Sequence, residues 1–203
     1  MFYLLKFASA KLTIKPFTLV KKIRNYVTAS VKYDGHLVTS RIIFLQMIYT
    51  VHKFQKLPIS LQQAWDFMGD PKNLAVITPD SMGFNTLSGD DRKMFAGQII
   101  IYTITPLFGL KLQWVTEITH VVDKHFFVDE QRFGPYAFWH HKHFLNEIDG
   151  GVEMEDIVHY KVPMGFLGRL VHPFLVKPKL DEIFAYRQKK LIELFGEFKP
   201  TTA

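Results

Sequence analysis

The stretch HFFVDEQRFGPYAFWHHKHFL, residues 125–145, limits the possible folds more than any other. Runs rich in Phe, Val and Trp flank Gly134-Pro135, which pairs a residue tolerant of positive φ with one whose φ is fixed. The stretch therefore reads as two antiparallel strands joined by a tight turn. Alternation puts Phe127, Asp129, Gln131, Trp139, His141, His143 and Leu145 on one face, and Val128, Glu130, Arg132, Phe138, His140, Lys142 and Phe144 on the other. Neither face is simply apolar or simply wetted. Acids, an amide and imidazoles set among aromatic rings describe the wall of a cavity.

The surrounding chain supplies the rest of that wall. Residues 48–57 alternate as a strand ended by Pro58, and Ser60 with Gln63 forms a capping box that opens a short helix carrying Ala64, Trp65, Phe67 and Met68. Asp70-Pro71 predicts a second short helix through Val76, begun by a cap and an N1 proline, and Pro79 to Gly83 breaks the chain. Strands follow at 84–87, 98–105 and 110–122, with turns at Gly89-Asp90-Asp91 and at Pro106 to Gly109. In the third of these strands Leu110, Leu112, Trp114, Thr116 and Ile118 are expected inward. Asp149-Gly150-Gly151 turns the chain into a last strand, 152–161, where Asp156 falls among Val152, Met154, Val158 and Tyr160. Residues 166–176 predict a helical segment kinked at Pro173, and a longer helix after Lys177-Pro178 carries a stripe of Leu180, Ile183, Phe184, Leu191, Leu194 and Phe195 before Gly196. The fold class is α+β: a curved antiparallel sheet of six to seven strands wrapped on a long C-terminal helix, with two short helices after the first strand.

Charge divides the chain. Eight Lys and Arg stand against the single acid Asp34 before Met47, leaving 17 basic and 18 acidic residues from Met47 onward. The net charge of +6 thus belongs to residues 1–46, and a nucleic-acid partner is not expected for the near-neutral body. Residues 1–46 show no sustained period. They read as a basic leader outside the folded domain of 47–198, with Met47 a candidate translation start and a targeting peptide the alternative. Cysteine is absent, which removes disulfides, thiolate catalysis and Cys-ligated zinc and suits a reducing cytoplasm. No apolar run reaches about 18 residues, so no transmembrane segment is expected.

From Met47 to Phe195 the order of elements resembles the START-like, or Bet-v-like, helix-grip superfamily. The residues that carry the likeness are PISLQQAWDFMGDPKNLAVITP, RFGPYAFWHHKHF, GGVEMEDIVHYKVPMG and the closing helix. The chain is most similar to the bacterial ligand-binding SRPBCC branch related to polyketide cyclases. The resemblance implies a cavity between sheet and C-terminal helix that takes a hydrophobic or amphipathic small molecule; some branches perform cyclisation or dehydration. It brings no catalytic signature that transfers residue by residue.

Asp129, Gln131, His141, His143 and Asp156 are the polar residues to weigh, since pairing about the two turns sets Asp129 opposite His141 and Asp156 opposite His141 or His143. Three roles are open to them. They can hydrogen-bond one another within a partly buried wall. They can orient the polar head of a ligand otherwise lined by Trp114, Thr116, Phe127, Trp139, Tyr160 and Phe184. They can also act as a His-Asp acid/base pair, His141 or His143 with Asp129 or Asp156. Two His at i and i+2 can chelate, but without a longer ligand pattern no metal and no cofactor are expected. Ser60, Ser81 and Ser88 lie at a cap or in loops with no neighbouring base, and the glycines match no phosphate-cradling spacing. A binding protein rather than an enzyme is the leading expectation.

Overall fold

The computed structural model describes residues 21–23, 26–33, 36–43, 47–106 and 109–200. The chain divides into two units, 1–46 and 47–203. In the first, strands β1 (Lys21–Ile23), β2 (Tyr26–Tyr33) and β3 (His36–Ile43) form an antiparallel sheet in the order β1-β2-β3. These strands lie in a segment whose sequence shows no sustained strand or helix period. Tyr33 pairs with His36, so β2 and β3 are separated by two residues, and the sequence there is Asp-Gly, a strong signal for a two-residue hairpin. The β-branched Val27, Thr28, Val31, Val38, Thr39 and Ile42 fill both strands.

The second unit is a seven-stranded antiparallel sheet beside a long helix. Its strands are β4 (Tyr49–Leu57), β5 (Asn85–Ser88), β6 (Gln98–Ile104), β7 (Leu112–Val122), β8 (Phe126–Phe133), β9 (Phe138–Ile148) and β10 (Gly151–Lys161). They lie in the order β4-β10-β9-β8-β7-β6-β5, so the first strand closes onto the last. Helix α1 (Leu61–Met68) begins at the expected capping box: the Gln63 amide N–H donates to Ser60 Oγ at 3.2 Å, and the Ser60 amide donates to Gln63 Oε1 at 3.0 Å. Helix α2 (Asn73–Val76) starts later than the Asp70-Pro71 signal suggests. Asp70 Oδ1 accepts the Lys72 amide at 3.0 Å and spends the intervening residues on a turn. Helix α3 (Gly165–Val171) passes through a π-helical segment (His172–Val176), containing Pro173, into α4 (Lys177–Phe195).

Core packing follows the alternation. In β10 Val152, Met154, Asp156, Val158 and Tyr160 are buried while their neighbours are partly exposed. Leu57, Ala64, Leu145, Val152 and Leu191 form one cluster that fixes α1 and the end of α4 to β4, β9 and β10. A second, with Ile100, Tyr102, Trp114 and Ile118, lines β6 and β7, and a third joins Val158, Tyr160, Leu180 and Phe184. Two expectations of burial fail. Leu110 precedes β7, which begins at Leu112, and is 62% exposed, and Leu194 is 45% exposed because the buried stripe of α4 ends on Leu191. In the expected turn at 106–109, residues 107 and 108 lie outside the described residues; Gly109 follows with φ of +70°. The turn at Gly89 holds, with φ of +88° and a backbone so close to Ile99 that a Cβ would stand 2.1 Å from its carbonyl oxygen.

Candidate functional site

Between the inner face of the sheet and α4 lies a cavity of about 480 Å³. Its walls are mostly apolar: Ile100 and Ile104 from β6, Leu112, Trp114 and Ile118 from β7, and Leu180, Ile183 and Phe184 from α4. Period-two alternation in the strands and the apolar stripe of the helix put these side chains there. Of the residues expected to contact a ligand, Trp114, Thr116, Phe127, Asp129, Trp139, His141, His143 and Phe184 line it.

Three others do not, and each has a distinct task. Gln131 clamps the loop after β8: its Nε2 donates to the Tyr136 carbonyl at 2.7 Å, and its Oε1 accepts the Tyr136 amide at 3.1 Å. The connection between β8 and β9 is thus a four-residue loop, not a two-residue turn. The Tyr160 hydroxyl lies 2.7 Å from His172 Nε2 and binds the π-helical segment to the sheet. Asp156 lies behind the two histidines, between them and α4.

Strand register assembles the polar cluster. Asp129 pairs directly with His141, and Asp156 with His143. His143 Nε2 lies 2.8 Å from Asp129 Oδ2 and its Nδ1 lies 2.8 Å from Asp156 Oδ1, the latter off the hydrogen-bonding direction. His141 Nε2 is 3.0 Å from Asp156 Oδ1 and its Nδ1 is 3.5 Å from Asp129 Oδ2. The two rings stand 3.7 Å apart between centroids, and Phe127 stacks on His143 at 4.1 Å. Trp139 Nε1–H donates to Asp129 Oδ1 at 3.3 Å, which orients that carboxylate.

Arg187 completes the cluster, and sequence reasoning missed it. Its Nη2 is 3.3 Å from Asp156 Oδ1, and the residue is only 8% exposed. The signal was present: Arg187 follows Leu180 and Phe184 and precedes Leu191 at helical spacing on the buried stripe. A cation on an apolar stripe requires a buried partner.

Charge is distributed unevenly over the cluster. Burial disfavours the ionised carboxyl of Asp156, but the Arg187 charge and the two imidazoles outweigh it and hold the group well below the usual carboxylate range. Asp129 is likewise held down, against burial, by His141 and His143. For His143 burial opposes protonation, yet the contacts with Asp129 and Asp156 prevail and its imidazole is held above the ordinary value. For His141 burial, together with the neighbouring His143 charge, prevails and lowers it. Two rings 3.7 Å apart cannot both carry charge cheaply, so one takes the proton and the other stays neutral.

No family model matches the sequence, and no curated protein does. Solved structures do match. Protein Ms6760 of Mycobacterium smegmatis is 19% identical with a TM-score of 0.53, over 71% of this chain and 89% of that one. Protein CV1439 of Chromobacterium violaceum is 16% identical with a TM-score of 0.56, over 74% of this chain and 99% of that one. The Bet-v-type allergen Ara h 8.0201 is 14% identical with a TM-score of 0.50, over 72% and 99%. At such identities the likeness is one of architecture: the second unit of this chain has the helix-grip fold.

Proposed function

We propose that the second unit binds a hydrophobic or amphipathic small molecule in the cavity between sheet and α4, with its polar end toward the Asp129, His141 and His143 cluster. The carrying observation is the cavity itself, about 480 Å³ with a mostly apolar wall into which Asp129, His141 and His143 set a polar patch. That volume falls within the roughly 300–1,000 Å³ typical of small-molecule sites. Burial of the apolar body contributes about 25 cal/mol per Å² removed from water, before the cost of ordering the ligand. Two buried donors of wall residues, Trp114 Nε1–H and Arg187 Nε–H, have no hydrogen-bond acceptor among the described residues.

Native mass spectrometry of the purified chain, followed by titration with a fluorescent fatty-acid probe, tests this. Saturable binding of one probe per chain is expected, weakened at least tenfold by Ile183→Trp, which fills the cavity from α4. Binding that is absent, or indifferent to the filled cavity, refutes the reading. A cyclase- or dehydratase-type activity is the second reading, favoured by a neutral His141 on the cavity wall at 3.0 Å from Asp156. On that reading His141→Gln abolishes turnover while probe binding falls less than tenfold.

A further inference from the structure

Each imidazole of the cluster has a carboxylate at both of its nitrogens. Asp156 Oδ1 is 3.0 Å from His141 Nε2 and 2.8 Å from His143 Nδ1, and Asp129 Oδ2 is 3.5 Å from His141 Nδ1 and 2.8 Å from His143 Nε2. A neutral imidazole has one N–H and one lone pair, and a lone pair directed at a carboxylate is repulsive. Asp156 is fixed as an acceptor by Arg187 at 3.3 Å, so the ring hydrogen of His141 belongs on its side, at Nε2, whereas His143 is hydrogen-bonded through Nε2 to Asp129 and its Nδ1 has no hydrogen-bond partner among the described residues. The lone pair of His141 Nδ1 then faces Asp129 Oδ2, and His143 Nε2 reaches the same oxygen through a proton that a metal ion would displace. One ligand atom from each of these three residues lies within 4.8 Å of the other two. That side of the cluster offers a cation three ligand atoms.

We propose that Asp129, His141 and His143 bind a divalent transition-metal ion of the zinc class, with a coordination position left open to the cavity. The ligand set is two imidazoles and one carboxylate, a composition that binds such ions and leaves room for an exogenous ligand. The outer contacts fit as well. Asp156 accepts from the far side of the His141 ring and is itself held by Arg187, while Trp139 Nε1–H holds the second oxygen of Asp129 at 3.3 Å. Histidine ligands are usually oriented by such carboxylates, and ligating carboxylates by such donors. All three ligands stand on paired strands, β8 and β9, whose register fixes their spacing. Bond lengths of about 2.0–2.2 Å to nitrogen and oxygen require the His143–Asp129 contact of 2.8 Å to open by a few tenths of an ångström, within the reach of side-chain rotation. The open position would take an oxygen-donor head, such as a carboxylate or a carbonyl, of the molecule in the cavity. This last statement rests on the proposed function, and the metal site does not.

The test is titration of the chelator-treated full chain with zinc by calorimetry and with cobalt(II) by visible spectroscopy. One equivalent is expected to bind, with the visible bands of nitrogen- and oxygen-ligated cobalt. Asp129→Asn and His143→Gln should each weaken zinc binding at least 100-fold, and Asp156→Asn about 10- to 100-fold through the outer contacts. Exposed His52 and His120 serve as controls, and their replacement by Gln should leave the affinity within twofold. Absence of stoichiometric binding to the wild-type chain overturns the proposal whatever the variants do. So does binding that survives in folded Asp129→Asn and His143→Gln, or binding that depends on the surface histidines. Fatty-acid probe binding measured on the same metal-free samples reports on the cavity separately, so loss of one reading is distinguishable from loss of the other.

Discussion

Replacing Arg187 by Met tests the energetics of the buried cluster. Met retains most of the side-chain length on the stripe of α4 and removes only the charge and its donors. Asp156, nearly buried, is left facing His141 Nε2 at 3.0 Å and His143 Nδ1 at 2.8 Å, and the imidazolium of His143 becomes its principal counter-charge. Removing one partner of a buried pair costs about 3–5 kcal/mol, and because His143 compensates in part the expected loss is about 3 kcal/mol. In urea, with a slope of about 2 kcal/mol per M, this lowers the unfolding midpoint by roughly 1.5 M. Trp65, Trp114 and Trp139 all lie in the second unit, so tryptophan fluorescence at pH 7 with a chelator present reports on that unit alone. Asp156→Asn in the Arg187→Met background should restore at least half of the loss, since the buried carboxylate is gone and Asn still accepts from His141. A loss under about 1 kcal/mol in the single variant, or a double variant equal to the sum of the singles, would refute the claim that these two groups are energetically coupled.

Three further outcomes follow from contacts already described. Ser60→Ala removes the bond from the Gln63 amide to Ser60 Oγ, leaves the one from the Ser60 amide to Gln63 Oε1, and should cost about 1 kcal/mol in urea unfolding, with no change in probe binding. His172 is buried against Tyr49 and Tyr160, and burial, aided by Lys177, holds its imidazole below the ordinary value. The unfolded chain therefore binds the proton more readily, so this contribution is intact above the unfolded value and is lost as the pH falls from about 7 to 5; His172→Gln should flatten that fall in pH-dependent unfolding. Residues 47–203 contain all three core clusters and should fold when expressed alone, with the tryptophan emission of the full chain; an emission typical of unfolded protein would contradict this.

Alternation carried most of the site into view from sequence. It put Asp129, His141 and His143 on one face of the hairpin and Asp156 on the apolar side of β10, and strand pairing brought them together as that pattern requires. What alternation cannot supply is register through an irregular connection. Gln131 shares the parity of Asp129, yet it lies near the end of β8, where the loop over Gly134 to Ala137 recruits its amide as a clamp. Tyr160 has the parity of Asp156 but meets His172, because α3 and the π-helical segment cover that end of the sheet. Arg187 was read past for a different reason. A single charged residue among Lys189, Lys190 and Glu193 looks like part of the solvated face until its position on the stripe is counted. In the first unit the β-branched runs of β2 and β3 were hidden among interspersed Lys and Arg, which interrupt the apolar alternation that marks a strand.

The π-helical segment bears on where the wall of the cavity opens. Its wider turn and Pro173 remove hydrogen bonds from the continuous ladder that would otherwise run from α3 into α4. On the adjoining α3, Phe166, Leu167 and Leu170 are each more than half exposed, while Gly168 and Val171 reach the cavity wall. The least protected amides of the helical region are therefore expected beside the cavity, and the most protected along α4. Amide exchange across residues 165–176 should proceed by local opening that leaves the sheet intact. On the proposed binding function, one guest molecule would replace another at a free-energy cost set by one short helix, with its container standing throughout.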